Sequence, residues 1–438
     1  MTRPLRIAFL LPSFPELSNT FIMNQITGLL DRGHDLALFA VSSKSFEGAG
    51  RDVVRYRLAE RMRHLPVPRG RLARFGSALK LLASRHGRQR AALDALDPRR
   101  HGRRAWSLVA FHTAVSFLRA ERFDVLHCQF GNHGPGIERL VRLGGLDVAL
   151  VTSFRGADLT RSLERDPSAY VDLLRGGDLF LPVSDAFRQR LIEAGAAPER
   201  VVVHRSGIDL RRFSYTPRQP PEGRARLLFV GRLTEKKGVG YLLDALRLLR
   251  DSGRDADLRV VGDGPLRTEL RAQTQALGLD ERVQFVRALP HEEVVAAMQG
   301  ADVLVAPSVT AADGDQEGIP NVLKEAMASG LPVVATHHSG IPELVEDGVS
   351  GFLAPERDAE ALARCLTRLL DAPRRWPDLG LAGRRRIEEA YDTVRLTDEL
   401  VELYRGAIAA RLERAGRHSA QRPEPLPTAG RLRPDDGM

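Results

Sequence analysis

Two series of short apolar segments run along this chain, and both alternate with segments that have the 3.6-residue periodicity of helices. The first series of candidate strands lies at 5–12, 35–41, 124–130, 149–154, 179–184 and 201–206. The second series lies at 227–233, 257–264, 282–289, 302–308, 331–336 and 351–355. Regular alternation of strands and helices predicts crossover connections and parallel sheets with helices on both faces. The chain is therefore predicted to be an α/β protein with two doubly wound sheets.

A polar segment rich in Pro and Gly separates the two series and is predicted to be a linker, at 215–226. The flanking domains are then 1–214 and 227–390, since 438 residues are many for a single core. A helix at 391–411 is placed to return to the N-terminal domain, and 412–438 is predicted to be a disordered tail. Two facing α/β domains put a ligand site in the cleft between the carboxyl ends of their strands.

Composition excludes several classes of protein. With 43% hydrophobic and 28% charged residues, the chain is typical of a soluble globular protein. The two cysteines, Cys128 and Cys365, support neither a disulfide framework nor a zinc ribbon, which favours the reducing cytoplasm. Pro12 and Pro15 interrupt the first apolar stretch, which predicts a strand rather than a signal peptide. The longest uncharged run, 106–118, is shorter than the roughly 18 residues that cross a bilayer.

Positive charge is concentrated in one region. Residues 51–122 contain 18 Lys and Arg against 5 Asp and Glu, although the whole chain has a net charge of only +9. The region is either a set of solvated arginine-rich helices or a surface that attracts anionic lipid head groups or a pyrophosphate-bearing acceptor. Nucleic acid is not predicted as a partner, because the region lacks interleaved aromatic residues and any binding motif.

The segment "LLFVGRLTEKKGVGYLLDAL" predicts a strand, a loop and a helix. Arg232 follows the strand, and Lys237 precedes Gly238 where the helix begins. Two cations beside a helix N-terminus suit a diphosphate, although either residue alone is more typical of an exposed turn. The later segment "VVGDGPLRTEL" contains neither a dinucleotide fingerprint nor a P-loop and predicts a tight turn.

The segment "EGIPNVLKEAMASG" predicts a helix that starts at Pro320 and ends at Gly330. Its first turn offers free backbone N–H groups, where anions are held, and Glu325 on the second turn leans back toward that end. Because carboxylates repel phosphates, Glu317 and Glu325 should bind neutral hydroxyls. The ligand that fits has a diphosphate between two polyhydroxy groups, as a nucleotide sugar does. The alternative is that Lys324 and Glu325 are ordinary surface residues of the helix.

No metal ion or cofactor is predicted. The Asp-x-Asp pattern of Asp313 and Asp315 has no third ligand nearby, so a loop is favoured over a metal site. His337 and His338 after a strand are more typical of loop polarity than of metal ligation.

These segments resemble glycosyltransferase family 4, the retaining nucleotide-sugar enzymes of the GT-B fold. The resemblance spans 5–404 and rests on "VGRLTEKKG", "VGDGPLR", "ADVLVAPS", "EGIPNVLKEAMASGLPVVAT" and "GIPELVEDGVSGFL". In the first half, "PSFPELSNTFI", "HCQFG" and "SFRGADL" are similar to segments of members that build exopolysaccharides, including the colanic-acid type. The resemblance implies two Rossmann-like domains that face a central cleft.

The resemblance also implies roles for individual residues. Arg232 and Lys237 would hold the donor diphosphate, and Glu325 would bind the ribose hydroxyls. Glu317 would face the hydroxyls and the anomeric region of the donor sugar. The residues around the distal phosphate and the sugar would be Gly318, Ile319, Pro320 and Asn321.

The chain departs from the family pattern at Arg155, where many members have the His of a His-Gly-x-Asp motif. An arginine cannot act as a base at neutral pH, but it can stabilise the charge of a departing phosphate. Asp158 and His127, at neighbouring strand ends, are further candidates for binding the acceptor. A second departure is Arg287, where the family often has Gly near the nucleobase, so the base preference stays open.

The predicted reaction is transfer of a sugar from a nucleoside-diphosphate sugar to an acceptor hydroxyl, with retention and without a metal. The acceptor, a carbohydrate or a lipid-linked saccharide, should bind the basic N-terminal domain, and domain closure should exclude water. The predicted setting is cell-surface or exopolysaccharide biosynthesis in the cytoplasm, on the inner face of the cell membrane. The alternatives are a catalytically inactive nucleotide-sugar-binding scaffold and a nucleotide-sugar epimerase of similar fold.

Overall fold

The strands of this chain form two parallel sheets with the same strand order. The computed structural model describes residues 3–14, 20–43, 51–64, 67–68, 70–101, 103–221 and 223–420. The first sheet contains β1 (Arg6–Phe14), β2 (Asp35–Ser43), β3 (Met62–His64), β4 (Val125–Cys128), β5 (Ala149–Phe154) and β6 (Leu179–Pro182). The second contains β7 (Ala225–Val230), β8 (Ala256–Val261), β9 (Val283–Val286), β10 (Val303–Ala306), β11 (Val333–Thr336) and β12 (Phe352–Ala354). The orders are β3-β2-β1-β4-β5-β6 and β9-β8-β7-β10-β11-β12, the doubly wound arrangement of dinucleotide-binding folds.

Helices cover both faces of each sheet. In the first domain they are α1 (Thr20–Asp31), α2 (Arg51–Arg55), α3 (Leu58–Arg61), α4 (Arg71–Ala83), α5 (Arg90–Asp94), α6 (Pro98–His101), α7 (Arg103–Trp106), α8 (Val109–Arg119), α9 (Gly134–Arg142), α10 (Thr160–Arg165), α11 (Val171–Gly176) and α12 (Asp185–Glu193). In the second they are α13 (Val239–Asp251), α14 (Arg267–Ala276), α15 (His291–Gln299), α16 (Asn321–Ala328), α17 (Ile341–Leu344), α18 (Ala359–Leu370) and α19 (Trp376–Ala390), followed by α20 (Thr393–Ala420). Single 3₁₀ turns lie at Gly131–His133, Pro198–Arg200, Leu210–Arg212, Glu235–Lys237 and Pro373–Arg375.

The central strands are apolar runs because both of their faces are covered. Every residue of β4, β5 and β6 is buried, as are those of β10, β11 and β12. Continuous apolar runs of this kind are typical of parallel strands with helices on both sides. The apolar runs of the sequence therefore predict the strands well.

Eleven of the twelve predicted strands are present, and the prediction at 201–206 is wrong. There Val201 forms only an isolated bridge to Phe180, and the chain follows the edge of β6 for two hydrogen bonds before it bends away. The side chain of His204 instead bonds to the carbonyl oxygen of Leu396 on α20, at 2.9 Å. The short strand β3 is missed, because its three residues are not an apolar run.

The C-terminal helix returns to the first domain, as predicted. α20 contacts α1 and β5, and its Leu400 and Tyr404 are fully buried in the core beneath the first sheet. The helix continues to Ala420, so the prediction that the tail begins at 412 is wrong, while 421–438 lies outside the described residues. β7 begins at Ala225, two residues inside the predicted linker. No helix in the described part of the chain is both long and apolar enough to cross a membrane.

Candidate active site

A cavity of about 820 Å³ lies between the two domains, at the carboxyl ends of both sheets. Strand order reverses between β1 and β4 in the first sheet and between β7 and β10 in the second. Loops diverge at such switch points, which leaves a crevice where ligands bind in open α/β sheets. The predicted residues that line the cavity are Arg155, Asp158, Arg232, Lys237, Glu317, Gly318, Ile319, Pro320, Asn321 and Glu325.

A short basic turn after β7 delivers two lysines to the cavity. Gly238, at φ 65°, closes this turn, and a Cβ on it would lie 1.8 Å from the carbonyl oxygen of Pro307. Only glycine fits such a position. The turn places the Nζ atoms of Lys236 and Lys237 each 3.1 Å from a different carboxylate oxygen of Glu317. Sequence reasoning missed Lys236, which looks like one more exposed cation in the turn.

Glu317 is therefore an ionised carboxylate held between two ammonium groups. Burial alone would raise its pKa, but Lys237 and Lys236 lower the pKa to about 2. The side chain of Glu317 is mostly buried, so the pair with Lys237 is shielded from water. Lys236 is shared with Asp315, at 3.0 Å from its Oδ1 atom.

The backbone of Glu317 is fixed by a buried histidine that the sequence did not reveal. The Glu317 N–H donates to Nε2 of His338 at 3.0 Å, and Nδ1 of His338 lies 2.6 Å from the carboxylate of Glu356. Nε2 accepts a hydrogen bond, so the ring proton is on Nδ1 and donates to Glu356. Glu356 in turn accepts the N–H of Thr310 at 2.7 Å. His338 thus supports the loop that precedes α16, and its role is not loop polarity.

The loop that precedes α16 comes very close to the first domain. A Cβ on Gly318 would lie 2.7 Å from Cγ2 of Val183 and 2.8 Å from the carbonyl oxygen of Arg155. α16 begins at Asn321, one residue later than predicted, and Pro320 precedes it. The first N–H groups of α16 have no partner within the helix and face a site where an anion is stabilised. Arg232 is exposed beside them and forms no ion pair with a described residue.

Glu325 lies in the cavity wall, and the interpretation of Lys324 and Glu325 as surface residues is wrong. Glu325 is buried and Lys324 is completely buried. Burial raises the pKa of the Glu325 carboxyl, while the nearby charges of His291 and Lys324 act in the opposite direction. His291, which also lines the cavity, was missed by the sequence analysis.

Arg155 is a half-buried cation whose guanidinium is surrounded by neutral oxygen atoms. Its guanidinium donates to the Gln129 carbonyl oxygen at 3.1 Å, to Gln129 Oε1 at 2.7 Å and to Ser206 Oγ at 2.8 Å. It also lies over the ring of Phe21, 4.6 Å from the ring centroid. Burial lowers the pKa of Arg155 to about 10, so the side chain stays charged at neutral pH. No described carboxylate forms an ion pair with this guanidinium.

A buried lysine approaches Arg155 from the opposite domain. Nζ of Lys324, on α16, donates to the carbonyl oxygen of Ser206 at 2.6 Å, while Oγ of Ser206 accepts from Arg155. Burial lowers the pKa of Lys324 to about 7. An anion bound beside Arg155 and Lys324 would be stabilised by the arginine charge and would favour the protonated form of the lysine.

Asp158 and His127 form hydrogen bonds with the loops and the core around Arg155. The Asp158 carboxylate accepts the backbone N–H groups of Gly131, Arg155 and Gly156, so it joins two loops at the edge of the cavity. His127 does not line the cavity, and its Nε2 lies 2.8 Å from Ser153 Oγ. Burial holds its pKa well below the usual value. Direct contact of either residue with an acceptor stays a prediction.

The remaining predicted residues have structural partners or lie outside the cleft. Asp313 pairs with Arg161 of the first domain, and Asp315 pairs with Lys236. Arg287 is exposed and is not part of the cavity wall. The described residues contain no cluster of three or more His, Cys, Asp or Glu side chains that could hold a metal ion.

Comparison with known proteins agrees with this geometry. Residues 224–372 match the family described as glycosyl transferases group 1, and residues 18–212 match glycosyltransferase family 4. The colanic acid biosynthesis glycosyltransferase WcaL of Salmonella typhimurium is 38% identical over 82% of this chain and 89% of its own. The amylovoran biosynthesis glycosyltransferase AmsK of Erwinia amylovora is 34% identical over 89% of this chain and 96% of its own.

Solved structures agree on the fold. HepE of Anabaena matches with a TM-score of 0.66 at 19% identity, over 91% of this chain and 99% of its own. Sucrose-phosphate synthase of Thermosynechococcus elongatus matches with a TM-score of 0.67 at 20% identity, over 93% of this chain and 100% of its own.

The fold and the cleft thus define a GT-B glycosyltransferase. The chain belongs to glycosyltransferase family 4, and the fold predicted from the resemblance is confirmed.

Proposed function

We propose that this protein transfers a sugar, with retention, from a nucleoside-diphosphate sugar to a lipid-linked saccharide during exopolysaccharide synthesis. Relatives that cover most of the chain carry the names of colanic acid and amylovoran biosynthesis enzymes, which supports the pathway class. The observation that carries the proposal is the arrangement of Lys237 and Glu317, beside a helix N-terminus in the interdomain cavity. This arrangement puts a cation, free N–H groups of a helix and a carboxylate in the same wall of the cavity.

The diphosphate would lie between Lys237, Arg232 and the N-terminus of α16. An ammonium group has three N–H donors, so Lys237 can keep Glu317 and still bind a phosphate oxygen. Preorganised cations and helix N–H groups stabilise the charge that develops on a leaving diphosphate. In this scheme no metal ion is required for departure of the leaving group.

The two glutamates would bind hydroxyls on either side of the diphosphate. Glu317 is ionised and rigid, which suits hydrogen bonds from the donor sugar close to the reacting carbon. Glu325 lies in the same wall with His291 nearby, which suits the ribose hydroxyls. Arg155 would stabilise the phosphate charge from the far side of the cleft, and Lys324 of α16 would do so from the near side.

The bound nucleotide can be identified by ligand-induced stabilisation. HepE was solved with UDP and with UDP-glucose, which makes uridine nucleotides the first to test. We expect one class among UDP-, GDP- and ADP-sugars to raise the thermal midpoint, because a ligand that binds only the native state stabilises it. No midpoint shift with any nucleotide sugar would contradict the donor site.

Turnover tests separate transfer from the other two functions. Purified protein, the stabilising nucleotide sugar and a membrane extract from polysaccharide-producing cells should give an elongated lipid-linked product with the anomeric configuration of the donor. Isomerised donor in the absence of acceptor would indicate an epimerase. Stabilisation by donor without any product or hydrolysis, under every acceptor tested, would indicate an inactive scaffold. An inverted linkage would contradict retention alone.

A further inference from the structure

One helix of the first domain has an apolar face that is exposed among the described residues. α4 follows Gly70, whose φ of 91° starts the helix, and Ala78 is its buried residue. Leu72, Phe75 and Leu79 are 90%, 59% and 55% exposed. Their spacing of three and four residues puts them on one side of the helix. Contiguous exposed apolar side chains of this size mark an interaction surface.

The surroundings of this face are strongly basic. The stretch 61–93 contains nine Lys and Arg and no Asp or Glu. Five of these cations, all exposed, form no ion pair with a described residue: Arg71, Lys80, Arg85, Arg88 and Arg90. The cations around α4 are therefore available to an external anionic partner.

An exposed tryptophan lies near α4. Arg74 of α4 donates to the carbonyl oxygen of Ser107 at 2.8 Å, so the end of α7 lies beside α4. The neighbouring residue, Trp106, is 78% exposed. Tryptophan is favoured at the boundary between lipid tails and head groups.

We propose that Leu72, Phe75 and Leu79 of α4 insert into an anionic lipid bilayer, with the unpaired cations around them against the head groups. A helix with large apolar side chains on one face and Lys and Arg beside them is suited to lie in the plane of the membrane interface. A second copy of this chain is disfavoured as the occupant, because it would bring two basic surfaces together. The inference rests on the proposed function in one respect: a membrane location would bring the enzyme to its lipid-linked acceptor.

Binding to vesicles tests the inference without any turnover. At low salt the full-length protein should sediment with vesicles that contain phosphatidylglycerol and much less with pure phosphatidylcholine, and added salt should weaken binding. The variant Leu72→Ser/Phe75→Ser/Leu79→Ser should bind the anionic vesicles at least about tenfold less tightly, because the inserted apolar area is lost. A control with exposed apolar residues of the second domain replaced, Val349→Ser/Leu381→Ser, should bind like the wild type.

Three outcomes would overturn the inference. They are absence of wild-type binding to anionic vesicles at low salt, unchanged binding by the triple variant, and a wild-type dimer that the triple variant converts to a monomer. Donor hydrolysis or transfer to a soluble acceptor, measured on the same preparations, keeps the two proposals apart. A triple variant that loses vesicle binding but keeps this turnover supports both proposals. A protein that binds vesicles but never uses a donor contradicts the proposed function alone.

Discussion

The two domains of this glycosyltransferase have the same strand order but use their third crossover differently. In the second domain, β9 and β10 are joined through the single helix α15. In the first domain, the corresponding connection from β3 to β4 contains α4 to α8 and 13 of the 18 Lys and Arg of the basic region 51–122. A crossover lies on the outside of the sheet, where insertions do not disturb the central strands. The shared architecture thus leaves the first domain free to acquire a surface that the second lacks.

The charged groups at the two switch points also differ. The second domain presents an ion pair between Glu317, before α16, and Lys237, on a turn that Gly238 closes. The first domain presents Arg155, a cation bound only by neutral oxygen atoms. A diphosphate imposes one chemistry on every enzyme that binds it, whereas acceptors differ between enzymes. Under the proposed function, the second domain is the donor half, which the diphosphate restricts to a common pattern, and the first domain is the acceptor half, which is free to vary.

Removal of the lysine of the donor half should have the largest effect. Lys237→Met should lower kcat/KM by about 10²–10³-fold, because a preorganised charge against the leaving diphosphate is lost. The measurement is initial-rate kinetics with the stabilising donor. Arg385→Met is the matched control, since Arg385 is an exposed cation of α19 outside the cavity. A Lys237→Met enzyme within about threefold of the wild type would break the assignment of the donor half.

Removal of the cation of the acceptor half should affect turnover more than donor affinity. Arg155→Met should lower kcat by about 10–10²-fold, since charge stabilisation in the transition state is lost across the cleft. Donor affinity measured by calorimetry should stay within about threefold, because the donor is bound by the opposite domain. A large loss of donor affinity would mean that Arg155 belongs to the donor site.

Arg155→His separates charge from proton transfer. The substitution restores the residue that many family members have at this position. If Arg155 acts only through its charge, the His variant should fall short of the wild type at high pH and approach it as the imidazole becomes protonated. A pH-independent gain of activity over Arg155→Met would instead favour a general hydrogen-bonding role.

Local sequence predicts the fold and the residues of the second domain that line the cavity, but it does not predict the partners of the charged groups. Apolar runs locate the strands because both faces of each sheet are buried, and 201–206 fails because His204 is bound to α20. The positions of Arg232, Lys237 and Glu325 in the cavity wall could be predicted because each lies just after a strand or near the start of a helix. Such positions are visible in a linear pattern.

The residues that sequence reasoning missed depend on distant parts of the chain. Lys324 bonds to Ser206, 118 positions away. His338 accepts the backbone N–H of Glu317, 21 positions away. A lysine inside a helix and a histidine after a strand are unremarkable locally, so only tertiary packing reveals their roles.

The buried histidine behind Glu317 offers a smaller effect within the donor half. His338→Ala removes the acceptor of the Glu317 N–H and should lower kcat about tenfold, because the carboxylate loses its fixed position. His337→Ala is the matched control, since His337 is the exposed neighbour. Both variants should be compared by kcat and by thermal midpoint. Equal activity of the two variants would show that the loop does not need this support.

The smallest expected effect concerns the pH dependence of stability at Lys324. Its pKa is about 7 in the folded protein, against 10.5 for an ordinary lysine. Between these values the unfolded chain binds more protons than the folded one, so this lysine makes stability rise with pH. Lys324→Met lacks this contribution. The wild type should therefore gain thermal midpoint relative to the variant from about pH 7 upward, by a few degrees at about pH 9. Arg155 is present in both proteins, so its effect cancels in the comparison. Parallel plots of thermal midpoint against pH would mean that Lys324 stays charged in the folded protein, despite its bond to the neutral Ser206.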